Sequence, residues 1–307
     1  MWVVLAFISA LCLGFYDICK KISLRDNDVV DVLTISVLIS SVILSVPLCL
    51  SRFWPEIMSN TLYYVPRLDG HAHALTFLKA CIVLSSWVFG YISLKHLPIS
   101  VVNPWQATRP MWTLVGALLL FDERLNTWQW VGVLIALGSI LAFSFKKPLT
   151  YNTQHSTLYI YYICLALAIL IGACSGLYDK YMMRHYDHNA VQVYYTFYQA
   201  LMMLVVWIVY HRKQVKPFLN PQRSMLRNIH PIALISVFLV ISDNVYMLAL
   251  RDPDSLIAVV STIRRGGAVI GFAYGLLFLK EENPWKKVLS MIGVLAGLVC
   301  LALGTLQ

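Results

Sequence analysis

The chain has 307 residues, 59% of them hydrophobic and only 13% charged, with a mean hydropathy of +0.69. That is too little polar surface to cover a soluble globule of this size, which makes the chain an integral membrane protein. Its net charge of +9 excludes little by itself, but the basic residues stand in short loops between apolar runs, where they set orientation and meet anionic lipid headgroups, and no nucleic-acid motif accompanies them.

A membrane span needs roughly 20 apolar residues. By that measure the first half of the chain holds helices at Met1 to Cys19, Val29 to Leu50, Ala74 to Leu94, Pro98 to Phe121 and Trp128 to Phe145. Because Met1-Trp2-Val3-Val4 already opens an apolar run with no basic segment before it, a retained helix is expected at the N-terminus rather than a cleaved signal. The polar stretch 146–157 is expected to link two units, 1–145 and 158–307. The second unit holds helices at Leu158 to Asp179, Ala190 to Tyr210, Pro231 to Leu250, Pro253 to Leu279 and Trp285 to Leu303. Two longer loops, Ser51 to His73 and His211 to His230, are too short for a soluble domain. The seven cysteines all fall in apolar segments without metal-ligand spacing and read as small buried hydrophobes.

The two halves repeat one another. Gly14-Phe15-Tyr16-Asp17 is echoed by Gly176-Leu177-Tyr178-Asp179, and Tyr91, Pro98 and Arg109 are echoed 155 positions later by Tyr246, Pro253 and Arg264 (246 − 91, 253 − 98 and 264 − 109). Five is an odd number of spans, so a second copy enters the membrane from the opposite side. The expected fold is all-α, with ten transmembrane helices as two inverted five-helix repeats.

Leu119-Leu120-Phe121-Asp122-Glu123-Arg124-Leu125, followed by Gly132 and Gly138, resembles the glutamate-plus-glycine signature that closes each repeat of the EamA-like family in the drug/metabolite transporter superfamily. Phe278-Leu279-Lys280-Glu281, followed by Gly293 and Gly297, is its second copy. The resemblance implies a transporter that carries a small-molecule solute. It also implies basic residues on the fourth and ninth helices at a central cavity, as in the branches that carry phosphorylated sugars and nucleotide sugars. Arg109, Arg264 and Arg265 fall on those helices.

A charge at the bilayer centre costs roughly 2.5–3.5 kcal/mol on the insertion scale, so it persists where it faces a cavity or a partner. Arg109 is expected about 18 Å of helix rise from either end of its helix, and Arg264 and Arg265 about 16 Å inside theirs. Consecutive residues point about 100° apart, so one of that pair aims at the axis and the other braces against Asp243. Structural ion pairing is the plainer reading. Against it, three arginines face one central carboxylate, since Asp17 and Asp179 sit near the expected helix ends, and that leaves surplus positive charge. Lys79, about a turn inside its helix, reads as a snorkelling side chain that could add to it. A guanidinium fork suits phosphate or carboxylate oxygens. Substituting Arg109 or Arg264 by glutamine is expected to cripple uptake and leave folding near normal.

Trp87, Tyr91, Trp105 and Tyr246 are placed around the same cavity. Tyr194, Tyr195, Tyr198 and Gln199 read either as a stacking surface for the solute or as an interfacial aromatic belt. Pro104 and Pro110 bracket Arg109, while Gly266-Gly267 hold the matching place in the ninth helix. Both are expected bends for alternating access by rocking of the halves. The glycines of the ninth and tenth helices read as packing within a monomer, with a dimer seam as the alternative.

The expected function is secondary transport of a small organic anion bearing phosphate or carboxylate. The alternatives are export of neutral or zwitterionic metabolites such as amino acids or drugs, and a membrane-embedded enzyme or flippase acting on a lipid phosphate. The chain has no H-E-x-x-H, no P-loop and no nucleophile–base arrangement, so neither an enzyme nor a cofactor is expected. Lysines and arginines beside loops number six on the N-terminal side and fourteen on the other. This ratio puts both termini outside a bacterial inner membrane, whereas the family resemblance implies termini inside.

Overall fold

A computed structural model describes residues 1–96, 105–106, 108–144, 155–213, 229–267, 270 and 284–306. Ten helices longer than two turns lie among them: α1 (Trp2–Asp26), α2 (Val29–Phe53), α3 (Gly70–His96), α4 (Arg109–Leu120), α5 (Thr127–Ser144), α6 (His155–His185), α7 (His188–Lys213), α8 (Ile229–Arg251), α9 (Ile257–Arg265) and α10 (Pro284–Leu306). A one-turn helix at Pro55–Met58 follows α2. Six of the ten, α1, α2, α3, α6, α7 and α8, are long and apolar enough to cross a membrane.

Local chemistry explains the helix starts. Asp69 opens α3 by accepting from the Ala72 amide at 3.1 Å, and Asp187 opens α7 by accepting from Asn189 at 3.0 Å. Asn126 and Gln129 form a reciprocal capping box at α5, with bonds of 2.9 and 3.0 Å. Inside α2, Ser36, Ser40 and Ser45 each donate to a carbonyl of their own helix, so these three hydroxyls need no water.

Several helices run longer than the apolar windows suggest, because polar residues continue a helix wherever neighbouring protein covers them. α1 extends to Asp26 and α6 runs to His185, so Asp17 and Asp179 lie well inside their helices. α3 begins at Gly70, so Lys79 is more than two turns in. The fourth and ninth segments depart the other way. α4 starts at Arg109, after a turn at Thr108, because Pro110 tolerates only the first turn, where no amide hydrogen is required. α9 starts at Ile257 rather than Pro253 and ends at Arg265, with a turn at Gly266-Gly267. Residues 97–104, 145–154, 214–228, 268–269 and 271–283, which contain Pro98, Pro104, most of the expected linker, Gly271 and Glu281, lie outside the described residues.

The loops α2–α3, α4–α5, α6–α7 and α8–α9 meet at one end of the bundle. Asn189 donates to the carbonyls of Leu62 and Tyr64 at 2.6 and 3.1 Å, and Asn126 to that of Gly304 at 2.6 Å. Glu123 explains the signature it belongs to. Asp122 takes the left-handed conformation, φ 50°, and the Glu123 amide turns back to the Ala117 carbonyl. The turn aims the Glu123 carboxylate at the uncapped start of α9, where it accepts from the Ile257 and Ala258 amides at 2.7 and 3.3 Å. Leu256, the residue before α9, offers no capping side chain of its own. Lys180, fully buried, donates to Ser255 Oγ and to the carbonyls of Ser255 and Asp252, and so holds the loop before α9. Lys180 therefore leaves the set of loop charges that the orientation count assigned to this side.

Burial pushes the Glu123 carboxyl above its usual range, although the two amides, Lys180 and Arg184 pull against it. The native state then holds a proton that the unfolded chain has already released, so stability falls as pH rises from the ordinary glutamate value, about 4.3, through the raised one. Thermal unfolding of Glu123→Gln in detergent is expected to lose this slope. Glu123→Ala, which leaves two buried amides unpaired, is expected to be destabilised by about 1–3 kcal/mol.

Close packing follows the small residues. At Gly132 a Cβ would lie 2.8 Å from the Gly297 carbonyl, and at Gly297 a Cβ would lie 2.6 Å from the Ala136 amide, so α5 and α10 touch backbone to backbone within the monomer. The cysteines depart from the buried-hydrophobe reading. Cys49 and Cys174 are exposed and the other five half-buried, all with free thiols. In a bilayer the outer surface is itself an apolar solvent, and an apolar side chain needs no core.

Candidate functional site

Among the described residues, five cations and three carboxylates meet inside the bundle. Arg264, at the end of α9, donates through Nη2 to Asp243 Oδ1 at 2.9 Å, and its guanidinium lies 3.9 Å over the Tyr246 ring. Asp243 Oδ2 accepts from the Tyr195 hydroxyl at 2.7 Å. Lys79 pairs with Asp179 and stands 4.6 Å over the Tyr195 ring. Tyr246, under the Arg264 guanidinium, also feels the charge of Asp179 and so borders both ion pairs. Lys79 is 2% exposed, so the snorkelling reading is wrong: Asp179 offers it a partner that it would otherwise have to seek at the interface. Arg265, one residue past Arg264 and turned away from it, interacts with Asp17, which Lys20 also approaches.

Arg109 differs from all of these. It donates from Nη2 to the Ala168 carbonyl at 3.3 Å and to Ser86 Oγ at 3.5 Å, and its buried Nε, like that of Arg264, has no hydrogen-bond partner. The charges that act on it are Arg265 and Arg264, both of its own sign. Among the described residues no carboxylate pairs with it. Among the described residues the interior holds three carboxylates rather than one, and Arg109 is the cation that none of them approaches. Arg109 is also the first residue of α4, so the partial positive charge of a helix N-terminus adds to its own.

The arginines at 109 and 264 are seated alike. Ser86 on α3 donates to the Ala168 carbonyl on α6 at 2.8 Å, and Arg109 reaches that serine. Ser242 on α8 donates to the Ser9 carbonyl on α1 at 2.9 Å, and Arg264 reaches it at 3.4 Å. Sequence reading missed both serines. It also noted Asp17 and Asp179 in the doubled G-x-Y-D pattern yet set them at helix ends; their duplication was the signal.

The other expected lining residues disperse. Gln199 is buried and borders a small cleft between α2, α7 and α8, to which Asp243 and Tyr195 also contribute. Tyr198 bonds to His73 at 3.0 Å and Tyr194 accepts from Arg52 at 2.8 Å, both toward the loop-covered end, as an interfacial belt would. Trp87 packs against Leu33, Leu84 and Met203. Trp105 is 41% exposed and leans on Tyr162 rather than facing inward. The side chain of Tyr91 lies outside the described residues.

Gly172 on α6 makes room for Arg109. A Cβ there would lie 2.4 Å from Arg109 Cζ, the movable end of a flexible side chain. Gly172→Ala is expected to fold at least as well as the native chain, since alanine favours a helix by about 1 kcal/mol, while displacing the guanidinium and lowering affinity for anions. Thermal unfolding and ligand binding measured on one preparation separate these two effects.

Residues 1–145 match the family model described as the EamA-like transporter family. Twenty-eight chains of solved structures match the fold. One of them, a crystal structure of a protein, superposes with a TM-score of 0.73 over 98% of this chain and 96% of that one, at 11% identity; at that identity the likeness concerns the fold alone. No curated protein matches the sequence.

Proposed function

We propose that this chain, which through residues 1–145 belongs to the EamA-like transporter family of the drug/metabolite transporter superfamily, is a secondary transporter that moves a small organic anion by alternating access. Its place among membrane transporters of small molecules comes from the family and from the apolar helices. The anionic class is inferred from one observation: among the described residues Arg109, a half-buried side chain with a fully buried Nε that has no hydrogen-bond partner, has only like charges around it. A buried charge without a counter-ion is strongly unfavourable. A phosphate or carboxylate oxygen from the solute supplies the missing charge and the missing acceptor.

Two inverted repeats, 1–145 and 158–307 joined by the stretch 146–157, supply the motion. Support comes from the packing. Exchanging α1–α5 with α6–α10 maps the contact of α1 with α8 onto that of α6 with α3, α4 with α6 onto α9 with α1, and α2 with α8 onto α7 with α3. The same exchange leaves α2–α7, α4–α9 and α5–α10 in place. The loop contacts around Glu123 and Lys180 close one end of the bundle, so solute enters from the other and leaves when the halves rock. The fourteen basic loop residues are assigned to the cytoplasm and the chain to the plasma membrane as a monomer.

A thermal-shift screen of purified protein against anionic, zwitterionic and cationic metabolites tests the class. Anions alone are expected to raise the unfolding temperature and to drive counterflow in proteoliposomes. Stabilisation confined to zwitterions or cations would sink the proposal. A pair of C-terminal reporters, one active only outside and one only inside, checks the orientation; a clear cytoplasmic signal overturns it.

A further inference from the structure

The loop between α2 and α3, residues 54–69, has two unlike sides. Its inner side belongs to the bundle. Val65, 1% exposed, packs with Leu44 of α2 and with Ala190 and Val193 of α7. Its amide donates to Ser51 Oγ at 3.0 Å and its carbonyl accepts from Arg52 at 3.1 Å, while Asn189 holds the carbonyls of Leu62 and Tyr64. The outer side carries Trp54, Ile57, Leu62 and Tyr63, which are 57–78% exposed, beside Phe53 at the end of α2. An apolar patch on a loop that the protein holds in place calls for a cover.

The patch continues a surface that already faces lipid. Val42, Val46, Leu50 and Phe53 recur every three or four residues as an exposed stripe of the span α2, and Trp54 and Ile57 extend that stripe into the one-turn helix. The backbone carries it across, because the Trp54 amide donates to the Leu50 carbonyl at 2.9 Å and the Met58 amide to that of Trp54 at 3.1 Å. Depth agrees with continuity. α2 has 25 residues, about 37 Å at 1.5 Å per residue, against about 30 Å of hydrocarbon and about 40–45 Å for the whole bilayer. A helix of that length centred in the membrane ends within the headgroup layer, so the loop starts there. Its side chains suit that layer and neither of its neighbours. Trp54 and Tyr63 are the amphipathic rings that gather at it. Ser59 and Thr61 donate to the Glu56 and Met58 carbonyls at 3.0 and 2.8 Å, so these hydroxyls need no water. Glu56 and Asn60 are exposed; hydrocarbon would reject them, whereas a choline or ethanolamine headgroup offers Glu56 a cation.

We propose that the outer face of this loop is seated in the headgroup–acyl boundary of the host bilayer, with phospholipid as the partner that covers it. The loop that roofs one end of the bundle is then held from within by Asn189 and from without by lipid. The assignment stands whether or not the solute is an anion.

Fluorescence quenching of the full chain in proteoliposomes of phosphatidylcholine and phosphatidylethanolamine tests it. The emission of Trp54 is the difference between the native protein and Trp54→Phe in the same lipids. With acyl chains brominated close to the headgroup this emission is expected to be largely lost. With bromines near the chain ends the loss is expected to be smaller, and iodide in the water is expected to leave the emission standing. Ile57→Trp and Leu62→Trp, each made on Trp54→Phe and read against it, are expected to behave alike, and they keep the test readable should Trp54 emit weakly. All three positions are on the surface, so the variants are expected to unfold with the native protein in detergent. Quenching by iodide and not by brominated lipid at these positions puts the face in water and overturns the proposal. Protection from both quenchers also overturns it, because protein then covers the face; a cross-linked dimer in that case identifies the cover as a second copy of the chain.

Discussion

Arg264→Gln is expected to lower the stability of the purified protein by about 3–5 kcal/mol, the usual consequence of removing one member of a buried ion pair. Both side chains of the pair are only 17% exposed, and the substitution leaves Asp243, among the described residues, with Tyr195 as its remaining hydrogen-bond donor. It also strips the cation from the face of Tyr246. Sequence reasoning expected Arg264 and Arg109 to behave alike and both to leave folding near normal, and the observed pairing separates them. Arg264→Gln combined with Asp243→Asn is expected to recover most of the loss, because a neutral amide pair can hydrogen-bond where a lone carboxylate cannot stay. The thermal unfolding of the two single variants and the double variant, read as a cycle, checks this. If Arg264→Gln unfolds with the native protein, Asp243 already has another cation and the network described above is wrong.

Arg109→Gln is expected to do the reverse: affinity for the anionic solute falls roughly tenfold to a hundredfold, the effect of losing a charge-assisted hydrogen bond of about 1.5–3 kcal/mol. Stability holds or rises, because no carboxylate loses a partner and the repulsion from Arg264 and Arg265 is relieved. Arg109→Lys keeps the charge but not the fork and is expected to restore transport only in part. The two arginines stand 155 positions apart and each reaches a serine that bonds to a neighbouring helix, so opposite signs in the stability measurement would show that one serves the scaffold and the other the solute. Normal uptake by Arg109→Gln would remove the anion site, whatever the stability data say.

How much of this was legible in the residues varies from one feature to the next. Pro110 beside Arg109 and Gly266-Gly267 beside Arg264 announced that both helices break near their arginines, and α4 and α9 do begin or end there. The family signature at Asp122-Glu123 could be seen, but its work could not. Glu123 caps a helix start 134 residues away, and nothing in a linear string tells a carboxylate which distant amides lack an acceptor. Lys79 was misread for the same reason. A lysine a few residues into an apolar run looks free to snorkel until α6 brings Asp179, 100 residues on, against it.

The amino-acid sequence alone determined the solvent, since 59% hydrophobic residues in runs of span length leave no alternative to a bilayer. It likewise carries the 155-residue echo of Tyr91, Pro98 and Arg109 in Tyr246, Pro253 and Arg264, because a repeated pattern survives in the order of residues whatever they touch. Which charge is left over is a property of neither composition nor spacing. The cations and carboxylates of the interior can be listed from the chain, but a list does not pair them. Electrostatic energy falls off with distance and with the dielectric between the charges, so only the packing of α3 on α6, of α8 on α9, and of α4 at its broken start decides that Lys79 and Arg264 are neutralised and Arg109 is not.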